Sequence, residues 1–216
     1  MNARAVFRSP YVWGLLIGIV TLTLIRPLLR HIPEPPPVLS QLPEFSLVGV
    51  DGKPYGSAEL RGQVYVVNFF FTSCRSICPA IMKGVARLQD GFVQRNINGI
   101  RLVSISVDPE HDTPEVLKEF AKGLGVDPVR WTLLTGDPAA VRRLVVFGFK
   151  TPVVPELPGA PGAPEPIDIA HTGKLVLVDG AGRIRGYYDS DDSGLDEVYN
   201  RAQHVLRQER EASRKE

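Results

Sequence analysis

The sequence has almost no net charge, since 25 basic and 24 acidic residues leave a formal value of +1 at pH 7. The first 31 residues hold four arginines and no acid, so the rest of the chain is slightly acidic. Nucleic-acid binding requires a basic face, and this charge balance does not supply one. We therefore predict no nucleic-acid partner.

The sequence also lacks an apolar run of full membrane-spanning length. The run at residues 11–25 is shorter than the roughly 20 residues that a span needs. Continuation through Leu28 and Leu29, with Arg26 extending to the headgroups, would supply the length. A cleaved signal peptide is the alternative, but the small residues that it requires do not follow the run. We predict a membrane anchor over residues 1–30 with a transmembrane helix, whose orientation the equal arginine counts on its flanks leave open.

Length and a hydrophobic content of 44% favour a single domain beyond this anchor. A proline-rich stretch at residues 31–43 predicts a stiff, extended linker. The domain is then expected over residues 44–208, followed by a polar tail at residues 209–216. A second proline-rich stretch at residues 150–166 predicts a surface excursion, for which a disordered insertion is the alternative.

Strand and helix signals alternate along the domain, which predicts an α/β fold. The near-continuous apolar run at residues 64–71 predicts a buried central strand, and a helix is expected next, at residues 79–95. The other expected elements are strands at 45–50, 101–107, 131–134, 175–178 and 184–188, and helices at 114–124, at 138–147 and from residue 195 onward.

The two cysteines, Cys74 and Cys78, lie where the central strand passes into the first long helix. Ligands collect at the carboxyl edge of an α/β sheet, and a helix amino terminus lowers the pKa of a thiol, so both sulfurs are expected to have lowered pKa values. One helical turn apart, the two sulfurs could form a disulfide or share a metal ion. A structural disulfide is the simplest alternative, although a bridge that closes so small a loop contributes little loop entropy.

Histidine is scarce as well, with four residues in the chain. His31 falls in the linker and His204 on the terminal helix, which leaves His111 and His171 as realistic ligands, although each could also be an ordinary surface residue. A structural zinc ion normally takes four protein ligands. Two thiolates and one imidazole instead suit Cu(I), so the ligand count favours copper over zinc. Asp108, at the end of a predicted strand, could tune such a site electrostatically.

Four motifs follow one another along the chain: DGK at residues 51–53, FFFTSCRSICP at 69–79, SVDPEHDTP at 106–114, and His171 ahead of VDG at 178–180. In this combination the chain resembles the Sco/SenC family of copper-binding proteins. The resemblance implies a thioredoxin-like fold, with a mixed sheet flanked by helices. It also implies that Cys74, Cys78 and His171 bind Cu(I) or Cu(II).

The same resemblance implies a role as a metallochaperone that helps to assemble the binuclear copper A centre of cytochrome c oxidase. The expected partners are the oxidase subunit that carries this centre and other copper- or thiol-handling proteins. The expected location is the inner membrane, with a single N-terminal span and the domain on the periplasmic or extracytoplasmic side. One departure is Arg75, where the family commonly has proline. A cation there would lower the thiol pKa further and could alter partner docking, but it removes no ligand.

Two other activities use similar residues. A thiol-disulfide oxidoreductase normally has Cys-x-x-Cys and a cis-proline before the facing strand, whereas here the cysteine spacing is one residue longer and residues 171–173 occupy that position. A peroxidase typically has threonine three residues before its cysteine, where this chain has Phe71. The alternative to the chaperone is therefore an oxidoreductase that acts on cysteines of the oxidase subunit or of other extracytoplasmic proteins.

Overall fold

The computed structural model describes residues 10–25, 35–150 and 173–214. The chain divides into two compact units, Met1–Glu34 and Pro35–Glu216. Each unit is described by itself. His31, His171 and residues 151–166 of the expected proline-rich excursion lie outside the described ranges.

The described part of the first unit is one helix, α1 (Pro10–Ile25), with 16 residues. At a rise of 1.5 Å per residue it is about 24 Å long, below the roughly 30 Å of a bilayer's hydrocarbon core. Among the residues that the structure describes, no helix is long and apolar enough to cross a membrane. The transmembrane helix expected from the sequence is therefore not found there. Its expected continuation through Leu28 and Leu29 lies outside the described residues.

The second unit is built on one mixed sheet with helices on both faces. Its strands are β1 (Ser40–Gln41), β2 (Ser46–Gly49), β3 (Pro54–Gly56), β4 (Val64–Phe70), β5 (Ile100–Ser106), β6 (Trp131–Thr135), β7 (Lys174–Val178) and β8 (Arg183–Asp189). Its helices are α2 (Ser57–Leu60), α3 (Cys78–Gln94), α4 (Pro114–Leu124), α5 (Pro138–Arg143) and α6 (Asp192–Ser213). The predicted α/β class is confirmed.

The strand order is β1-β8-β7-β4-β5-β6-β2-β3. Strands β4, β5 and β6 are parallel to one another, and the other neighbouring pairs are antiparallel. All residues of β4 are buried, as expected for a near-continuous run of β-branched and aromatic residues with neighbours on both sides. Because β4 and β5 pair in register up to Phe70 and Ser106, both strands end at the same edge of the sheet.

Side chains of β4 alternate between two hydrophobic cores. Val66 and Phe70 pack in a core with residues of α3, α4 and α6, while Val67 and Phe69 pack in a second core with residues of α2 and α5. The period-two alternation of a strand produces this division. Both faces of β4 are therefore covered, and its carboxyl end leads directly to the cysteines.

Several element boundaries differ from the predicted ones for local reasons. Helix α5 ends at Arg143 and continues as a π-helical turn (Leu144–Gly148), in which the Phe149 N–H donates to the Leu144 carbonyl at 2.9 Å. Helix α6 begins three residues before the predicted Leu195, because the Asp191 carboxylate accepts a hydrogen bond from the Gly194 N–H at 2.7 Å.

The segment at residues 35–43, which the sequence analysis assigns to a linker, packs against the domain. Strand β1 pairs with β8, and Leu42 is buried in the second core. The guanidinium of Arg185 donates to the Pro36 carbonyl at 2.8 Å. Strand β1 has only two residues and lies between prolines, so the sequence gives almost no periodic signal for it. Only its tertiary contacts reveal it as a strand.

Candidate metal centre

Cys74 lies within the short loop between β4 and α3, and Cys78 lies at the end of that loop. After β4 ends at Phe70, the chain turns, and the Cys74 N–H donates to the Phe71 carbonyl at 3.2 Å. Cys78 is the first residue of α3, and the first turn of this helix is closed by the Ala80 and Ile81 N–H groups, which both donate to the Ile77 carbonyl. Both thiols are free and buried, with 8% and 2% of the residue exposed respectively.

The two thiols differ sharply in pKa. Burial alone would raise the pKa of Cys74, but hydrogen bonds from the Cys78 thiol, from the Ser76 hydroxyl and from the backbone N–H groups of both residues outweigh it and lower the pKa to about 6. The Ser76 Oγ lies 3.6 Å from the Cys74 Sγ. The lowering comes from these bonds rather than from Arg75, whose side chain is exposed.

Cys78 shows the opposite shift, so the expectation of a lowered pKa is wrong for this thiol. Burial raises its pKa most, and its hydrogen bond to Cys74 and the negative charge of that thiolate add to the effect, so that the pKa is about 12. At neutral pH the pair therefore shares one proton, which Cys78 donates toward Cys74. A metal ion bound by both sulfurs must displace this proton. Two adjacent sulfurs with one already ionised form a donor set that fits a soft ion such as Cu(I).

The third expected ligand, His171, is outside the described residues, but Gly173 is inside them. Gly173 has φ +63°, and a Cβ built on it would lie 3.3 Å from Ile77 Cδ1 and 2.9 Å from Ser190 Oγ. Gly173, two positions after His171, therefore lies against the residue that precedes Cys78.

The other candidate histidine is held elsewhere. The His111 Nδ1 lies 2.8 Å and 3.0 Å from the two carboxylate oxygens of Asp108, and its side chain is exposed. The hydrogen bond with Asp108 and the charge of that carboxylate raise the pKa of His111. Within residues 10–25, 35–150 and 173–214, no three side chains of histidine, cysteine, aspartate or glutamate form a group that could hold a metal ion. His111 thus does not join the cysteines there.

A family model supplies the decisive comparison, because the SCO1/SenC model matches residues 36–207. The chain belongs to the SCO1/SenC family. A Bacillus subtilis relative, "SCO1 protein homolog", is 29% identical over 165 residues, which make up 75% of this chain and 81% of that protein. The family resemblance drawn from the four motifs is therefore confirmed.

Solved Sco structures share the fold. BsSco, a member of the Sco family of cytochrome c oxidase assembly proteins in which a disulfide switch was identified, superposes with a TM-score of 0.67 at 25% identity. This match covers 81% of the present chain and 98% of BsSco. ScoI of Bradyrhizobium japonicum with copper bound superposes with a TM-score of 0.59 at 22% identity, over 77% of this chain and all of that one, which is a likeness of fold. The thioredoxin-like Sco fold expected from the sequence is confirmed.

One residue beside the cysteine loop was not singled out from the sequence. Asp112 is 1% exposed, and its carboxylate accepts hydrogen bonds from Thr72 and Ser106. The acid-rich loop at residues 108–112 suggests solvated carboxylates, so neither composition nor periodicity separates Asp112 from its neighbours. The one available signal is that Asp112 falls within the family motif at residues 106–114.

Proposed function

We propose that this protein binds copper through Cys74, Cys78 and His171 and delivers it to the binuclear copper A centre of cytochrome c oxidase. The observation that carries the proposal is the pair of buried, unbridged thiols, with Cys74 in the loop before α3 and Cys78 at its first position. Soft sulfur ligands suit Cu(I). Membership of the SCO1/SenC family and the copper bound by a Sco protein of the same fold support the choice of metal.

His171 is proposed as the third ligand because of the contact made by Gly173. Two peptide units join these residues, so their Cα atoms are at most about 7 Å apart. Gly173 packs against Ile77, which directly precedes Cys78. This contact beside Cys78 supports His171 as the nitrogen ligand.

Delivery requires that copper pass from these sulfurs to thiolates of the acceptor. The Sco family assembles cytochrome c oxidase, as stated for BsSco, and the copper-A-bearing subunit is the acceptor that we propose. Because the Cys78 thiol has a high pKa, return of its proton would favour release of copper from this site. The ion is held as Cu(I) or Cu(II).

A second candidate, a thiol-disulfide reductase for the same acceptor, is favoured by the low pKa of Cys74 and by the disulfide switch identified in BsSco. The Cys74 thiolate would attack one sulfur of the acceptor disulfide and release the other as thiolate. Cys78, after loss of its proton, would then attack the Cys74 sulfur. The products are a Cys74–Cys78 disulfide and a dithiol on the acceptor, with two electrons transferred.

For the location we propose attachment of the N-terminal segment to the inner membrane, with the domain on the extracytoplasmic side. The apolar run at residues 11–25 and its flanking arginines support this placement. Fractionation of cells, followed by protease treatment of spheroplasts, tests it. Recovery of the protein in the soluble cytoplasmic fraction would contradict it.

The function is tested by anaerobic titration of the full chain with Cu(I), monitored by metal content and X-ray absorption. We expect one copper per chain with two sulfur ligands and one nitrogen ligand. Cys74→Ser should abolish tight binding, and His171→Ala should remove the nitrogen ligand with a large loss of affinity. His111→Ala is the matched control, because that histidine is exposed and paired with Asp108.

Two outcomes would change the assignment. If His111→Ala rather than His171→Ala removes the nitrogen ligand, the third ligand is wrong. If copper binds weakly and indifferently to His171 while the thiol pair rapidly reduces a protein disulfide, the reductase replaces the chaperone.

A further inference from the structure

The Asp112 carboxylate joins the ends of two central strands. It is buried, and it accepts three hydrogen bonds: from the Thr72 N–H at 3.0 Å, from the Thr72 hydroxyl, and from the Ser106 hydroxyl at 2.5 Å. Thr72 follows β4 and Ser106 is the last residue of β5. The carboxylate thus connects two chain segments 34 positions apart at the edge of the sheet where the cysteines lie.

These bonds extend the link between β4 and β5 beyond the strand ladder. The Val107 N–H donates to the Phe70 carbonyl at 2.9 Å. Past this point the chain turns toward Cys74, and the Asp112 carboxylate binds both the amide and the hydroxyl of Thr72. The bonds of Cys74 itself are local, to the Phe71 carbonyl, to Ser76 and to Cys78. Thr72 is therefore a point at which the cysteine loop is attached to the neighbouring strand.

Asp112 is itself firmly held, as a positioning residue must be. Its N–H donates to the Asp108 carbonyl at 2.9 Å, and the Asp108 N–H donates to the Ser106 hydroxyl oxygen at 3.1 Å. The next residue, Thr113, caps α4 by accepting a hydrogen bond from the Val116 N–H. The carboxylate is thus fixed between the end of β5 and the start of α4, and motion of Thr72 would break bonds to a buried charge, which is costly.

We infer that Asp112 is a positioning residue for the metal centre, which sets the separation and orientation of the two thiols through Thr72. The inference rests on the proposed binding of copper by Cys74 and Cys78. Residues that hold metal ligands through hydrogen bonds typically account for about 10- to 100-fold in metal affinity. Asp112 acts one step further away, through Thr72, so loss of its contact should weaken Cu(I) binding by about tenfold, the lower end of this range, although both sulfurs remain present.

The first test is Asp112→Asn in the full chain, with Glu110→Gln as matched control. Both changes remove one negative charge from the same loop, but Glu110 is exposed. The asparagine keeps the size of the side chain while it turns an amide NH2 toward groups that are themselves donors. We expect about tenfold weaker Cu(I) binding in a competition titration for Asp112→Asn and unchanged binding for Glu110→Gln.

A second pair keeps the inference falsifiable if Asp112→Asn does not fold. Thr72→Val removes the hydroxyl and keeps the backbone amide, whereas Thr72→Ser keeps both. Weaker copper binding in the valine variant with near wild-type binding in the serine variant supports positioning through Thr72. Equal affinities in wild type, Thr72→Val and Thr72→Ser overturn it.

A measurement without copper separates this inference from the proposed function. The rate at which iodoacetamide alkylates Cys74 in the metal-free protein depends on the geometry of the thiol pair, so it should change in Asp112→Asn and Thr72→Val. If these variants lose thermal stability while alkylation and copper affinity match wild type, Asp112 has only a structural role and the inference fails. If wild type binds no copper at its thiols, the proposed function fails, and the alkylation rates still decide the role of Asp112.

Discussion

Substitution of Gly173 by alanine should weaken copper binding as well as the fold. The φ of +63° at this position is unfavourable for alanine, at a cost of about 1–2 kcal/mol. The new Cβ would also lie 2.9 Å from Ser190 Oγ and 3.3 Å from Ile77 Cδ1. The serine hydroxyl can rotate away, but Ile77 belongs to the cysteine loop, so relief of that contact displaces either the loop or the chain that leads to His171.

Gly182 provides a matched control for the backbone effect. It has φ +75° in the turn between β7 and β8, and a Cβ there would meet only the flexible amide of Gln41, at 3.3 Å. Gly182→Ala should therefore lower the free energy of unfolding by about 1 kcal/mol with unchanged copper affinity. Gly173→Ala should lower stability similarly and also weaken Cu(I) binding by about tenfold, a difference of about 1.4 kcal/mol.

The assay combines urea unfolding of the metal-free protein with competition for Cu(I) against a chromophoric chelator. Gly173→Ala with Ser190→Ala provides an internal check, because it removes the 2.9 Å contact but keeps the unfavourable φ and the Ile77 contact. Copper affinity should stay low in this double variant. If Gly173→Ala binds copper as tightly as wild type while losing stability, the packing of Gly173 on Ile77 does not place His171, and the reasoning is refuted.

Two further predictions concern the thiol pair and the buried charges. In the metal-free protein, alkylation of Cys74 should reach half its maximal rate near pH 6 and slow as the pH falls below that value. Cys78→Ala should move this midpoint to higher pH, because the thiol that donates a hydrogen bond to Cys74 is lost. An unchanged midpoint would contradict the shared proton. Arg185→Ala should lower the free energy of unfolding by about 3 kcal/mol in urea unfolding, because the Arg185 guanidinium lies 3.1 Å from the fully buried carboxylate of Asp179. A loss below about 1 kcal/mol would show that Arg183, 2.9 Å from the same carboxylate, is enough to balance its charge.

The central part of the fold could be predicted because its signals are local. Strand β4 is an unbroken apolar run, and Pro114 after the capping Thr113 marks the start of α4. The parts that could not be predicted depend on tertiary contacts. Strand β1 is recognisable only through its pairing with β8.

The same division applies to the candidate site. The position of Cys74 and Cys78 at a strand-to-helix junction follows from the sequence, and so does the expectation of a lowered thiol pKa. The opposite shift at Cys78 depends on its burial and on its hydrogen bond to Cys74, which no spacing rule supplies. Asp112 and Glu110 belong to the same acidic loop, and the sequence does not tell which of them is buried. In the folded loop Asp112 is buried and Glu110 is exposed.

The shared proton is compatible with both proposed functions, so it cannot choose between them. A low pKa at Cys74 makes an attacking thiolate for a reductase and also a ready sulfur ligand for copper, while the protonated Cys78 suits a resolving thiol as well as a releasable ligand. A nitrogen ligand separates the two, because copper held by only two protein thiolates needs one more donor to reach three-coordination, whereas the disulfide exchange proposed above uses the two sulfurs alone. Gly173, two positions after His171, lies against Ile77 of the cysteine loop, and this contact supports the nitrogen ligand that the proposed chaperone needs.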